Sequence, residues 1–336
     1  MALSLVLAMM VLAFLLLRPA PSEARVFTFR ISKAQAYSGM LESTMAPVLT
    51  VDDGDTVIFN TVMLMQGELS PEMTFDDMFS LRQSMKERNI GLYAFTGPFF
   101  VNGAEPGDVL EVRIRRIVPG KSAVTHIYPD EVGAGGLPEG FRKGNLKPLF
   151  FSPDRKSVDF APGITIPLRP FLGTMAVAPR PGEVRPPAVP GYFGGNMDNK
   201  ELVEGTILFL PVSVPGALFL AADAHGVQGD GEVSISAAET YFEEVEMEFI
   251  VRKDLKLDAP LGETPTHWIV MGFHEDLDEA MKEAIRQALA FLSREKGLGR
   301  EEAYSLCSLA VDFRVTQVVD GKKGVHGMIP KEIFRS

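Results

Sequence analysis

The stretch Asp223-Ala224-His225-Gly226-Val227-Gln228-Gly229-Asp230-Gly231-Glu232 gathers three carboxylates and one imidazole within ten residues. Asp223 and His225 stand two apart at the end of an apolar run, so in a strand both side chains leave the same face. Gly226, Gly229 and Gly231 permit a tight reversal. Asp230 and Glu232, again two apart, would share a face at the start of the next strand. A hairpin of this kind converges all four groups, and such a set suits a divalent cation. Zinc is favoured where imidazole joins carboxylates, calcium or magnesium where oxygen ligands dominate. Without a cation or shared protons the three acids would repel one another. The competing reading makes the Asp and Gly residues plain turn formers and His225 a strand-end histidine. The segment alone does not separate the two.

A second polar group stands at Gly194-Gly195-Asn196-Met197-Asp198. Paired glycines let a backbone approach a ligand closely, which makes Gly195 a candidate substrate contact. Asn196 offers both a donor and an acceptor, and Asp198 can add an oxygen ligand to a cation. The alternative is a Gly-Gly turn with an Asp cap ahead of residues 200–202. His326, between Gly324 and Gly327, could be brought to the same place by its flexible neighbours, or be an ordinary loop histidine. Cys307 lies in the helical run Leu306-Cys307-Ser308-Leu309, where burial is a better account than a reactive thiolate. No GxSxG elbow, HExxH pair or P-loop occurs.

The elements that must position these groups read mainly as strands. Val26-Phe27-Thr28-Phe29, Val48-Leu49-Thr50-Val51 and Thr56-Val57-Ile58-Phe59 are short β-branched or aromatic runs, the last two separated by the acidic turn Asp52-Asp53-Gly54-Asp55. Residues 73–89 interrupt with helical spacing of Met73, Met78, Leu81 and Met85. Strands resume at Phe99-Phe100-Val101 and over residues 109–114, around the turn Glu105-Pro106-Gly107-Asp108. Residues 118–163 and 179–196, rich in Gly and Pro, read as long loops. Further strands follow over residues 206–251. The tail then changes character: a strand at 268–272, a helix capped by Asp276 and stopped by Gly297, a second helix over about 300–309, and a closing strand at 313–319. The expected fold is α+β and mainly β, a β-sandwich or barrel body with an α/β C-terminal part. The expected division is an N-terminal β-rich domain over 25–178 and a second β-rich region with the α/β part over 179–336.

Composition narrows the function classes. Lys and Arg total 33 against 44 Asp and Glu, a net charge of −11, which argues against a nucleic-acid partner. A single cysteine excludes an intrachain disulfide and any CxxC metal site. Residues 2–17 carry no charge, and Ser22-Glu23-Ala24 resembles a signal-peptidase site, although no basic residue precedes the apolar run. Residues 1–24 therefore read as a signal peptide, with a periplasmic or secreted protein and no stable membrane span after cleavage.

Taken in order, several segments resemble the acetamidase/formamidase family: Phe95-Thr96-Gly97-Pro98, residues 103–110, Gly194-Gly195-Asn196-Met197-Asp198, Leu210-Pro211-Val212, Pro215-Gly216-Ala217-Leu218-Phe219, residues 223–232, and Gly324-Val325-His326-Gly327-Met328-Ile329-Pro330. The resemblance runs from about residue 45 to the C-terminus. It implies hydrolysis of short linear amides to a carboxylate and ammonia, with a divalent metal, zinc before calcium, and a homo-oligomeric assembly. On that basis Asp198, Asp223 and His225 are the expected metal ligands and Glu232 the general base. Asn196 is expected to orient the amide, with Gly195, Asp230 and His326 contacting substrate. The chain departs from the family pattern at Met63, where many members have Asp, at Tyr93 and Phe193, where many have His, and at Ala222, usually Gly. These changes suggest a bulkier or less polar amide. The rival expectation is an exported binding protein that keeps the fold without turnover.

Overall fold

The computed structural model describes residues 24–334; the expected signal peptide lies outside them, apart from Ala24. Strands account for 38% of the described residues and helices for 17%, so the protein is mainly β. Two large sheets carry it. The first has nine strands in the spatial order Val26–Phe29, Thr56–Phe59, Phe242–Arg252, Val109–Pro119, Ile207–Pro211, Leu261–Glu263, His267–His274, Lys323–Pro330 and Asp312–Gln317. The second runs Gly194–Asn196, Phe171–Ala176, Phe219–His225, Glu239–Thr240, Ser122–Ile127 and Asn145–Phe150. Thr96–Val101 also pairs with Phe219–His225, and Leu49–Val51 pairs with Thr96–Val101.

The sheets face each other across one apolar core and neither closes into a barrel. Phe59 and Phe249 of the first sheet meet Phe99 and Phe219 of the second edge to face, with ring centroids 5.1–6.1 Å apart. Strands from either side of residue 178 alternate in both sheets. Val109–Pro119 is flanked by Phe242–Arg252 and Ile207–Pro211, and Phe171–Ala176 by Gly194–Asn196 and Phe219–His225. Residues 25–178 and 179–336 thus share a core.

Among the described residues, three α-helices complete the fold. Helix α1, Phe75–Glu87, starts at Thr74, whose hydroxyl accepts from the Asp77 N–H while the Asp77 carboxylate accepts from the Thr74 N–H. Its buried Met78 and Met85 pack with Met65, Leu69 and Tyr128. Helix α2, Leu277–Lys296, begins at the Asp276 cap and ends at Gly297 in the left-handed conformation, the boundaries that the sequence signals mark. Helix α3 is Arg300–Ala310, and Cys307 on it is buried in the core that α2 and α3 share with the first sheet. No helix among the described residues is long and apolar enough to cross a membrane.

Two sequence expectations are corrected. Residues 118–163, read as loops, contain the strands Ser122–Ile127, Asn145–Phe150 and Ser157–Ala161; their Gly and Pro residues sit at the connecting turns or at tolerated edge positions. His326 lies within Lys323–Pro330, a strand paired on both sides, because Gly324 and Gly327 allow close packing rather than a loop.

Candidate active site

His225 is the centre of the polar cluster. It ends the central strand of the second sheet, and antiparallel register sets Glu239 directly across from it. The ring is 1% exposed. Its Nε2 lies 3.3 Å from Asp223 Oδ1 and 3.3 Å from Glu239 Oε2, while Nδ1 lies 3.8 Å from Asp198 Oδ1. Nδ1 is also 2.9 Å from Gln228 Oε1. Gln228 Nε2 donates to the Asp198 carbonyl, so its Oε1 is left as an acceptor and Nδ1 carries the proton. In the neutral imidazole this leaves Nε2 as a free lone pair between Asp223 and Glu239.

Asp198, Asp223 and Glu232 are buried, and all three have left-handed backbones, at φ 48°, 64° and 43°. Such conformations cost about 1–3 kcal/mol each outside glycine and persist where the surroundings enforce them. Asp320, on the turn after Asp312–Gln317, completes five carboxylates around one imidazole. Asp198 Oδ1, Glu232 Oε2, Glu239 Oε2 and Asp320 Oδ2 are buried without a hydrogen-bond partner.

The electrostatics follow from this crowding. Burial, reinforced by Asp320 and Asp223, lifts Asp198 well above the ordinary carboxylate range. Burial and Asp198 do the same for Glu232, and burial and Glu232 for Asp320. Burial would pull His225 down, but the Asp223 and Glu239 carboxylates outweigh it and hold its pKa well above that of free imidazole. Burial also raises Glu239, yet the His225 charge more than offsets this and keeps it low.

All of these groups except Asp198 form one end of a cavity of about 250 Å³. Its remaining wall is largely apolar or aromatic, with Leu64, Met65, Leu92, Tyr93, Tyr128 and Ile235. Burial and the facing acids raise the Tyr93 pKa far above its usual value, so its hydroxyl stays protonated. Gly173 forms the floor: a Cβ there would stand 2.4 Å from Asp198 Oδ1 and 2.7 Å from Asp223 Oδ2.

Of the residues expected from sequence, Asn196, Asp198, Asp223, His225 and Glu232 are brought together. Asn196 is spent on its neighbours. Its Oδ1 accepts from Thr174 Oγ1, and its Nδ2 donates to Asp198 Oδ2 at 2.6 Å. Four residues fall outside the cavity wall, Asp198 only just, since it lies behind His225 with Oδ1 3.8 Å from Nδ1. Asp230 is solvent-exposed and pairs with Lys200 at 2.8 Å, because residues 226–238 form a loop rather than a hairpin. Gly195 is buried in its strand beside Val189, Pro190 and Phe193. His326 is buried in the first sheet with its Nδ1 on Thr316 Oγ1. Sequence reasoning missed Glu239, Asp320 and Gly173. Only strand pairing reveals Glu239, fourteen residues beyond His225.

Fold and site together define a mainly-β sandwich with a buried acid–imidazole centre at the end of a small, largely apolar cavity. The sequence profile of the acetamidase/formamidase family matches residues 40–183 and 186–336, and the chain belongs to that family. The solved acetamidase from Bacillus halodurans is similar, with a TM-score of 0.81 and 31% identity over 91% of this chain and 98% of that one. The solved acetamidase from Yersinia enterocolitica superposes with a TM-score of 0.83 at 26% identity, covering 94% and 95% of the two chains. A Schizosaccharomyces pombe protein named as a candidate formamidase is 28% identical over 244 residues, 56% of this chain. The match spans only 57% of that relative's length.

Proposed function

We propose that this chain is an amidase that hydrolyses short linear amides to a carboxylate and ammonia, with the help of a divalent cation held at the His225 cluster. The observation that carries the reading is the set of five buried carboxylates around one imidazole, four of them with an orphaned oxygen. That donor set fits a cation. Ligand atoms of Asp223, His225 and Glu239 lie within 4.8 Å of one another, as do those of Asp198, His225 and Glu232. The proton on Nδ1 favours the first set, since it leaves Nε2 free on the Asp223 and Glu239 side. Glu239 therefore joins Asp223 and His225 as a proposed ligand, and Asp198 moves to the supporting role of holding a proton beside Asp320. Mixed imidazole and carboxylate ligation favours zinc, with calcium the alternative. A cation bound there would polarise the amide carbonyl and acidify water.

The chain's own residues do the rest. Glu232, whose pKa burial and the Asp198 carboxylate raise, takes a proton from the attacking water and returns it to the leaving nitrogen. Tyr93, held protonated, can donate to the oxygen that gains charge. Asn196 positions Asp198 rather than reaching for substrate. The apolar wall favours an amide with some carbon chain over formamide. The uncharged run at residues 2–17 supports an exported enzyme.

Ammonia release from a panel of formamide, acetamide and longer amides, with and without chelator, tests this. Turnover that chelation abolishes and added zinc restores is expected, and no turnover on any amide would overturn the reading. Glu232→Gln should lower kcat by about 10²–10⁴-fold, the usual worth of general acid–base catalysis; full activity in that variant would remove Glu232 from the mechanism.

A further inference from the structure

Helix α1 places two cations at the mouth of the cavity. Arg82 lines the 250 Å³ cavity and also the adjoining groove bounded by Ser38, Met40, Asn89 and Pro187. Lys86, four residues on and so on the same helix face, lines that groove too. Like charges at this spacing disfavour a helix. Among the described residues, neither has a carboxylate within ion-pair distance, although acids outnumber bases by 44 to 33. Most other arginines of the chain are neutralised, as Arg155 is by Glu243 and Arg252 by Glu111 and Asp254. Arg82 is half-buried and its guanidinium carbon lies 4.6 Å from the Tyr128 ring centroid, a cation–π contact that helps hold the side chain. Tyr128 in turn meets His126 edge to face at 5.0 Å, and His126 lines the same cavity near Glu239. A guanidinium without an ion-pair partner thus lines the same cavity as the acid–imidazole cluster.

That cavity has room for more than acetamide. At roughly 30 Å³ per water, the cavity corresponds to about eight water-sized volumes.

We infer that the substrate is an amide whose carbon chain carries a carboxylate at its far end, and that Arg82 receives this carboxylate while the amide group lies at His225. This rests on the amidase reading and names its substrate class. A planar guanidinium matches a carboxylate in two parallel hydrogen bonds, so the anchor also sets which end of the molecule enters first. Lys86 adds attraction at the entrance, where the net negative charge of the chain would otherwise repel an anion.

The probes are succinamate and its methyl ester, the same amide with and without the charge. Wild type should favour succinamate in kcat/KM by about 10–100-fold, the range expected of a hydrogen bond to a charged group. Arg82→Met should collapse that ratio, mainly through KM for succinamate, and Arg82→Lys should restore part of it. Equal turnover of the two amides by wild type, or an unchanged ratio in Arg82→Met, would overturn the inference. Calorimetric binding of succinate, the product, separates this from the amidase reading. If no amide is turned over, succinate binding that weakens tenfold or more in Arg82→Met still supports the anchor, and equal binding by both proteins removes it.

Discussion

An ideal Cβ on Gly173 would approach Asp198 Oδ1, Asp223 Oδ2 and His225 Cε1 to 2.4, 2.7 and 2.9 Å. All three belong to side chains that already lack room to retreat, because Asp198, Asp223 and His225 are buried and two of them sit on left-handed backbone. Gly173 is in the strand Phe171–Ala176 and has no positive φ, so alanine suits its backbone and only the space is wrong. Gly173→Ala should therefore keep the fold while displacing the acids around His225. Shifts of this size cost about 10²-fold in rate, and overpacking costs about 1–3 kcal/mol of stability. Zinc content by elemental analysis, kcat/KM and far-UV circular dichroism check it together. Native dichroism with lost zinc and lost turnover is expected; native zinc content and rate would show that the floor can yield.

Helix α2 lies against the strands His267–His274 and Lys323–Pro330, and Gly272 permits the contact. A Cβ at Gly272 would stand 2.3 Å from Ala284 N and 2.4 Å from Ala280 O, both backbone atoms of the helix. Gly272→Ala must push the helix outward, at about 3 kcal/mol or more given that backbone cannot rotate away as a side chain can. Urea denaturation should show the midpoint falling, while kcat of the folded protein stays near wild type because α2 does not line the cavity. The same contact explains what the sequence shows of this element and what it hides. The cap Asp276, the stop Gly297 and the apolar spacing are local signals, and they mark both ends of the helix correctly. The face is less legible. The apolar spacing of Leu277, Met281, Ile285, Leu289 and Leu292 suggests the inward side, and Leu292 is fully buried. The other four are half-buried flanks of the buried line Ala280, Ala284 and Ala288, since close approach to Gly272 selects small residues. In the site the division is the same. Asp223, His225 and Glu232 are legible as a dense local string, whereas Glu239 and Gly173 join through strand pairing, and Asp320 through the turn after Asp312–Gln317, which no spacing in the chain records.

At the scale of the whole molecule, buried histidines make stability depend on pH even away from the chemistry. His326 has its Nδ1 on Thr316 Oγ1 at 2.7 Å and its Nε2 buried with no partner. Burial lowers its pKa from 6.5 to about 4. His126, also buried, falls to about 4 for the same leading reason. Above pH 6.5 both histidines are neutral in folded and unfolded chains, and stability does not change with pH on their account. Between pH 6.5 and 4 the unfolded chain binds protons that the folded chain refuses, so the contribution present above pH 6.5 is lost as pH falls and is fully lost below pH 4. At 1.36 kcal/mol per pH unit, His326 alone accounts for about 3 kcal/mol over that window. Urea denaturation midpoints measured from pH 7.5 to 4.5 should carry this decline from the two histidines, set against an opposite trend from Asp198, Glu232, Asp320 and His225, whose raised pKa values favour the fold as pH falls. In His326→Gln the slope of that decline should be shallower by about one proton, whatever the substitution does to stability at pH 7.5. An identical slope in the variant would mean that His326 is protonated in the folded chain, and that Thr316 accepts from Nδ1 rather than donating to it.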